Sequence, residues 1–306
     1  FDGNQFNNSL PNDNDLAVCH NGQILSVTNT TVYVFDTAGT SLSNASLEAF
    51  GDDVGPLTRS YDPRCLYDPD NRRFITVFLE GSLDSTSKII VGFSQTDDAT
   101  GDWNLYTLPG NPNDDGTWSD FPTISLNNQD LFIAVNRFTN NSVNDTGFTE
   151  TVFWQVGLDE GYAGDPLQSV YHEGLYFNGT DTLFNVCPVR GEPQALDSEM
   201  YLLGNRLKTE GSDSLYVLYL TGSAADVSPP TIEWSLVNMP SEYRQPAPAP
   251  QLFNRFLDTN DGRVQGAILY DGKIHFVSNS LDTFAVKNGV YYGVIDIQNM
   301  VGLTST

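Results

Sequence analysis

Five segments of this chain open in related ways without repeating letter for letter. They are Asp15-Leu16-Ala17-Val18, Tyr61-Asp62-Pro63-Arg64-Cys65-Leu66, Ser119-Asp120-Phe121-Pro122-Thr123-Ile124, Asn185-Val186-Cys187-Pro188-Val189 and Arg263-Val264-Gln265-Gly266-Ala267-Ile268. Two or three further short runs with strand character follow each one. Openings roughly 45–80 residues apart, each heading about four short strands, are the pattern of blades set radially around an axis. A sandwich or a β-helix also reads as many short strands. The order within a block separates the cases. A compact apolar first strand begins beside Asp or Arg, and progressively more polar strands follow, as expected when the first lines an axis and the fourth faces solvent. The expected fold is all-β: a β-propeller of four-stranded blades, about five of them visible, with a six- or seven-bladed ring as the larger possibility.

The strand pattern predicts Asp15–Cys19, Gln23–Thr28 and Thr31–Asp36 in the first block, and Arg64–Tyr67, Arg73–Leu79, Lys88–Ser94 and Trp103–Leu108 in the second. The third holds Thr123–Leu126, Asp130–Asn136, Phe148–Gly157 and Ser169–Tyr171. Asn185–Val189, Glu199–Asn205, Ser214–Thr221 and Thr231–Leu236 make the fourth, and Val264–Tyr270, Lys273–Ser278 and Gly289–Ile297 the fifth. Asn21-Gly22 and Asp271-Gly272 between apolar runs are hairpin signals. The polar opening Phe1–Asn14 reads as an irregular strap, and Gln245–Pro250 as an extended spacer with polyproline bias. One strand rhythm continues across that spacer, so 1–306 is expected to form a single domain, trimmed at its C-terminal end.

The formal net charge is −25, with 39 acidic against 14 basic residues. Asp outnumbers Glu 29 to 10, and Asp favours turns, so part of the acidity follows from a turn-rich fold. Such a charge repels phosphate backbones and anionic membranes, which argues against nucleic acid as a partner and against membrane insertion. No run approaches the roughly 20 apolar residues of a membrane span. Cys19, Cys65 and Cys187 fall in or beside first strands and read as buried thiols; a Cys19–Cys65 bridge is open but not demanded by the spacing.

Four stretches, Pro11–Val18, Tyr61–Asp68, Phe93–Tyr106 and Asn260–Ala267, resemble secreted multi-bladed β-propellers of Bacteroidota, of the kind exported by type IX secretion. The likeness runs over essentially the whole chain and implies an extracellular or cell-surface protein, with secretion-system or other extracellular proteins among its partners. It is almost silent about activity. Ser94–Trp103 also resembles a stretched, degenerate Asp-box, the hairpin of sialidase-like propellers, although two extra residues separate Ser from Trp and no Thr precedes the Trp. That motif is a fold staple.

Asp15, Asp62 and Asp120 occupy equivalent places in three blocks, and Arg64, Arg190 and Arg263 occupy or flank first strands. If first strands line the axis, these six ring one mouth of the channel, where carboxylates and guanidinium groups can hold an ionic ligand. The plainer arrangement is that each Asp accepts backbone N–H bonds from a neighbouring blade and each Arg pairs with one of them. Asp13 and Asp15, and Asp258, Asn260 and Asp261, cluster hard oxygens as calcium loops do, which makes calcium the candidate cofactor, with ordinary Asx turns as the alternative. His172, beside Tyr171 and Tyr176, is the candidate base for a lyase, against a solvated loop histidine.

Three functions stay open. The first is a non-catalytic binding or adhesion module for a glycan or a surface protein, favoured because catalytic residues are sparse. The second is a carbohydrate-active enzyme, a polysaccharide lyase or sialidase-like hydrolase. That requires a His, Tyr or carboxylate converging with Arg64, Arg190 or Arg263 in one pocket. A structural subunit of an extracellular assembly fits the same scaffold.

Overall fold

A computed structural model describes residues 3–4, 9–140, 147–177, 181–191, 196–206, 211–282 and 287–306. Within the expected strap, residues 1–2 and 5–8 lie outside the described residues. Five antiparallel sheets follow one another in chain order, each strand pairing with its sequence neighbour. Sheet one holds β1 (Asp15–Val18), β2 (Ile24–Thr28), β3 (Thr31–Phe35) and β4 (Ser41–Ser46). In sheet two are β5 (Ser60–Asp68), β6 (Arg73–Glu80), β7 (Lys88–Ser94) and β8 (Trp103–Pro109). Sheet three is made of β9 (Thr117–Leu126), β10 (Asp130–Thr139), β11 (Phe148–Gly157) and β12 (Ser169–His172). Sheet four carries a fifth strand at its inner edge: β13 (Tyr176–Phe177), β14 (Asp181–Pro188), β15 (Glu199–Arg206), β16 (Gly211–Thr221) and β17 (Thr231–Arg244). A ribbon of β18 (Ala249–Pro250) and β19 (Phe256–Leu257) precedes sheet five, which is β20 (Val264–Tyr270), β21 (Lys273–Asp282), β22 (Lys287–Asp296) and β23 (Val301–Ser305). This is a β-propeller of four-stranded blades.

Burial explains why the central strands look as they do. The run Phe74-Ile75-Thr76-Val77-Phe78-Leu79 of β6 is apolar on both sides because sheets one and three cover both faces, and all six residues are fully buried. Strand β21 alternates instead: Ile274 and Phe276 are buried while Val277 is 37% exposed. Among the described residues, sheet packs on sheet from one to five in order, and the outward faces of the first and last keep exposed apolar side chains: Leu16 and Val18 on one, Ile268, Tyr270 and Val290 on the other. The turn joining β20 to β21 has Asp271 and Gly272 both left-handed, at φ 48° and 67°. That is the geometry Asp-Gly hairpins supply at little cost.

The inner strands share a second feature. Register shifts interrupt the β5–β6 pairing between Tyr61 and Arg64, the β14–β15 pairing between Phe184 and Val186, and the β20–β21 pairing between Val264 and Gly266. The β9–β10 pairing shifts opposite Phe121 and Pro122. Asp62, Phe121 and Asn185 sit at these bulges with φ of 51°, 53° and 59°. Bulges re-aim side chains, and left-handed backbone at a phenylalanine is strained enough to need support from its surroundings.

All three cysteines are buried and free, so no Cys19–Cys65 bridge forms. The missed strands β4 and β23 are the outermost of their sheets, and both are largely exposed. Ser94 and Trp103 face each other across the β7–β8 hairpin. Asp98 accepts hydrogen bonds from Thr100 and from Gln23 of sheet one, tying the two sheets together.

Candidate functional site at the axis of the inner strands

The inner strands step from sheet to sheet through side-chain bonds to backbone. The Cys65 N–H donates to Asp15 (3.3 Å), the Phe121 N–H to Asp62 (3.3 Å), and the Thr123 hydroxyl to the Val186 carbonyl (2.9 Å). Asn185 donates to the Val264 carbonyl (3.1 Å). These bonds bring one residue from each inner strand to a common axis. There they enclose a cavity of about 540 Å³ lined by Asp15, Arg64, Phe121, Arg190 and Ile268, with His275 and Tyr292 on its sheet-five side.

The charged and ring groups of the cavity are held to different degrees. The Arg64 Nε donates to the Pro122 carbonyl (2.9 Å) and its guanidinium lies 5.5 Å from the Phe121 ring centroid. Its terminal nitrogens meet no hydrogen-bond partner among the described residues. The Arg190 backbone adds a parallel bridge to β20: its N–H donates to Ala267 (2.8 Å) and its carbonyl accepts from Leu269 (2.7 Å). This anchoring aims its side chain at Asp15, with Nη2 3.2 Å from the carboxylate and the guanidinium still 42% exposed. Across the cavity, His275 Nδ1 and the Tyr292 hydroxyl are 2.6 Å apart and the two rings stack at 6.0 Å.

Beside the cavity, outside its lining, three half-buried carboxyls from successive blocks meet: Asp13, Asp62 and Asp120. Asp62 neighbours both of the others. Burial raises Asp62 to about 7 and Asp13 to about 6, with each neighbouring carboxylate adding to the rise and Arg64 opposing it. Asp120 is also raised by burial, against the Phe121 N–H, the Asp62 carboxyl and the charge of Arg263. Neighbouring carboxylates disfavour each other's ionisation, so the cluster as a whole favours protonated forms, Asp62 foremost.

Of the six residues expected at the channel mouth, Asp15, Arg64 and Arg190 line the cavity. Asp62 and Asp120 lie in the carboxyl cluster. Arg263 is a correction: only 6% exposed, it forks onto Asp261 at 2.7 and 2.6 Å and is sandwiched between Phe121 (4.3 Å) and Phe184 (4.8 Å). A buried guanidinium so engaged has no face left for a ligand. Of the expected calcium residues, Asp15 pairs with Arg190, Asp261 with Arg263, and Asp258 caps the Asn260 N–H (2.8 Å), while Asp13 Oδ2 is buried and meets no hydrogen-bond partner among the described residues. Among the described residues no group of His, Cys, Asp or Glu side chains is disposed to hold a metal ion. His172 is no loop residue. It ends β12, stacks on Phe153 at 4.3 Å and contacts Gln155 at 3.2 Å, and burial pulls it down to about 4. The residues not singled out from sequence are Phe121, His275 and Tyr292. The alternation of β21 placed His275 on a strand face, but only the fold shows which face meets the arginines.

No protein-family description matches the chain, and neither does any curated protein. Solved structures with a related fold include the polysaccharide lyase Uly1, at 11% identity, TM-score 0.48, over 92% of this chain and 57% of that one. An α-L-arabinofuranosidase of Fusarium graminearum aligns at 11% identity, TM-score 0.49, over 94% and 77%. An exo-1,5-α-L-arabinanase from a bovine ruminal metagenomic library aligns at 9% identity, TM-score 0.45, over 99% and 100%. The chain spans 57% and 62% of two of these larger enzymes, the lyase and an exo-β-1,3-galactanase of Phanerochaete chrysosporium. At such identities and scores the likeness carries nothing about chemistry.

Proposed function

We propose that the protein is an extracellular carbohydrate-active enzyme that cleaves a uronate-bearing polysaccharide by β-elimination. The observation that supports this reading is one cavity shared by Arg64, Arg190 and the hydrogen-bonded His275–Tyr292 pair. It is the convergence an enzyme needs and a plain binding module does not. Between the two enzymatic alternatives, the cavity lining favours the lyase. A sialidase-like hydrolase needs three arginines on the substrate carboxylate and a Tyr–Glu nucleophile pair, whereas Arg64 and Arg190 line this cavity without Arg263 and without a glutamate.

In elimination the substrate carboxylate must be neutralised so that the adjacent C–H can ionise. Arg64, whose terminal nitrogens meet no partner among the described residues, is placed to fork onto that carboxylate, and Arg190 to add positive charge from the other side. The C–H bond breaks and its proton passes to His275. The electron pair forms the carbon–carbon double bond, the glycosidic C–O bond breaks, and the Tyr292 hydroxyl protonates the departing oxygen. The protein's −25 charge works against a polyanion at long range, so the two arginines must hold it at short range.

The test is release of unsaturated ends from a panel of uronate polysaccharides, with Arg64→Ala and Tyr292→Phe run beside the parent. Product that disappears in both variants supports the reading. Product that survives Arg64→Ala, or saturated reducing ends only, overturns it. Binding without product returns the protein to the non-catalytic module favoured by its sequence.

A further inference from the structure

Tyr270 is 71% exposed although it sits in strand β20, and its hydroxyl meets no partner among the described residues. Its side chain falls on the same strand face as Ile268, two residues earlier, and Ile268 lines the cavity. In register, Ile268 faces His275 and Tyr270 faces Lys273, so Tyr270 is the diagonal neighbour of His275; Tyr292 is diagonal to His275 on the other side. The three rings form a row across β20, β21 and β22, with centroids 6.5 Å and then 6.0 Å apart. Ile268 (52% exposed) and Val277 (37%) border the row, and one end of it opens into the cavity while the other reaches the protein's edge.

We propose that Tyr270 is a substrate-positioning residue, the outer step of an aromatic path along which a uronate polysaccharide lies as it enters the cavity. This rests on the reading given under Proposed function. Exposed aromatic rings offer flat apolar faces to the C–H faces of sugars, and a ring row leading to the His275–Tyr292 pair sets the polymer's direction without adding charge. No residue of the path repels a polyanion: Lys273 lies beside it, and its Asp271 partner sits 3.6 Å away in the turn. A chain long enough to reach Tyr270 gains from the path, and an oligosaccharide confined to the cavity does not.

The experiment compares Tyr270→Ala and Tyr270→Phe with the parent. Each is assayed on a polyuronate and on its shortest cleaved oligomer for unsaturated ends, and for polymer retention in affinity gels. One stacking ring is worth about 0.5–1.5 kcal/mol, so Tyr270→Ala raises KM for the polymer about 2- to 12-fold. It leaves kcat and the oligomer kinetics unchanged, and Tyr270→Phe behaves as the parent. Equal loss on polymer and oligomer, or no loss on either while the parent cleaves, overturns the path and leaves the lyase reading standing. Retention that weakens in Tyr270→Ala with no cleavage by the parent overturns the lyase reading and supports the path as a glycan track. Neither retention nor product overturns both.

Discussion

The carboxyl cluster makes a prediction about stability whose sign is unusual for an aspartate. In the folded protein Asp62 holds its proton up to about pH 7, whereas the unfolded chain releases it near the ordinary value of 3.8. Between those limits the native state binds the extra proton, so the contribution of this residue to stability is complete at low pH and is lost as the pH rises towards 7. A displacement of about three units, at 1.36 kcal/mol each, sets an upper limit of about 4 kcal/mol, reduced because Asp13 and Asp120 share the same protons. Asp62→Asn removes the titration. Repulsion from the overall charge also weakens the protein as pH rises, but it acts on both proteins and cancels in their difference. Urea unfolding of both proteins between pH 4.5 and 8.5 is the assay. From pH 4.5 upward about 2.5 of those units remain, so the variant should gain on the parent by about 2–3 kcal/mol across the range, with most of the change between pH 5 and 7. Two curves that run parallel would show that the cluster is ionised in the native protein, and the reasoning would fail.

Other outcomes follow from single contacts. Arg64→Lys keeps the charge but loses the planar fork, so kcat/KM on a uronate polysaccharide should fall about 10- to 100-fold with unfolding unchanged. Arg137, fully buried and bonded to Asp115, Glu150, Asn111 and Tyr171, was not singled out in the sequence. Replacing it with Ala should cost about 3–5 kcal/mol in urea unfolding, because it leaves carboxylates without their partner. The three thiols should stay unreactive towards a disulfide reagent until the protein unfolds, since all are buried and burial raises Cys65 and Cys187, the latter to about 11; rapid native labelling of Cys65 would contradict its packing.

The parts of this molecule legible in the sequence are those governed by local rules. The hairpin at Asp271-Gly272 and the doubly apolar run of β6 declare themselves because turn conformation and burial act on consecutive residues. The repeated Asp-Pro and Phe-Pro openings marked the inner strands correctly, but not why they recur: Asp62 and Phe121 sit at equivalent bulges, a fact of pairing register between strands. Site residues fared according to how far apart their partners lie. Arg64 and Arg190 were expected at the mouth from their place in a block, and both line the cavity. Arg263 was assigned to the mouth on the same ground, yet its neighbour Asp261 and two rings from other blades claim it. His275 and Tyr292 carry no mark at all, since their significance depends on a sheet face meeting inner strands that lie more than 80 residues away in sequence. His172 looked more chemical beside Tyr171 and Glu173, and its ring is spent on Phe153.

Sheets two, three and four are each clasped from both sides, while sheet five docks on sheet four alone among the described residues. A sheet held through one packing interface opens at lower free energy than a sheet held through two. Arg64 stands on a sheet clasped twice, whereas Arg190 is pinned by its own backbone to β20 and so moves with sheet five. His275 and Tyr292 ride on sheet five as well. The distance from Arg64 to Arg190, His275 and Tyr292 is therefore the soft dimension of the cavity: breathing of sheet five widens it while Arg64 stays in place, and a bulky polymer enters on that side.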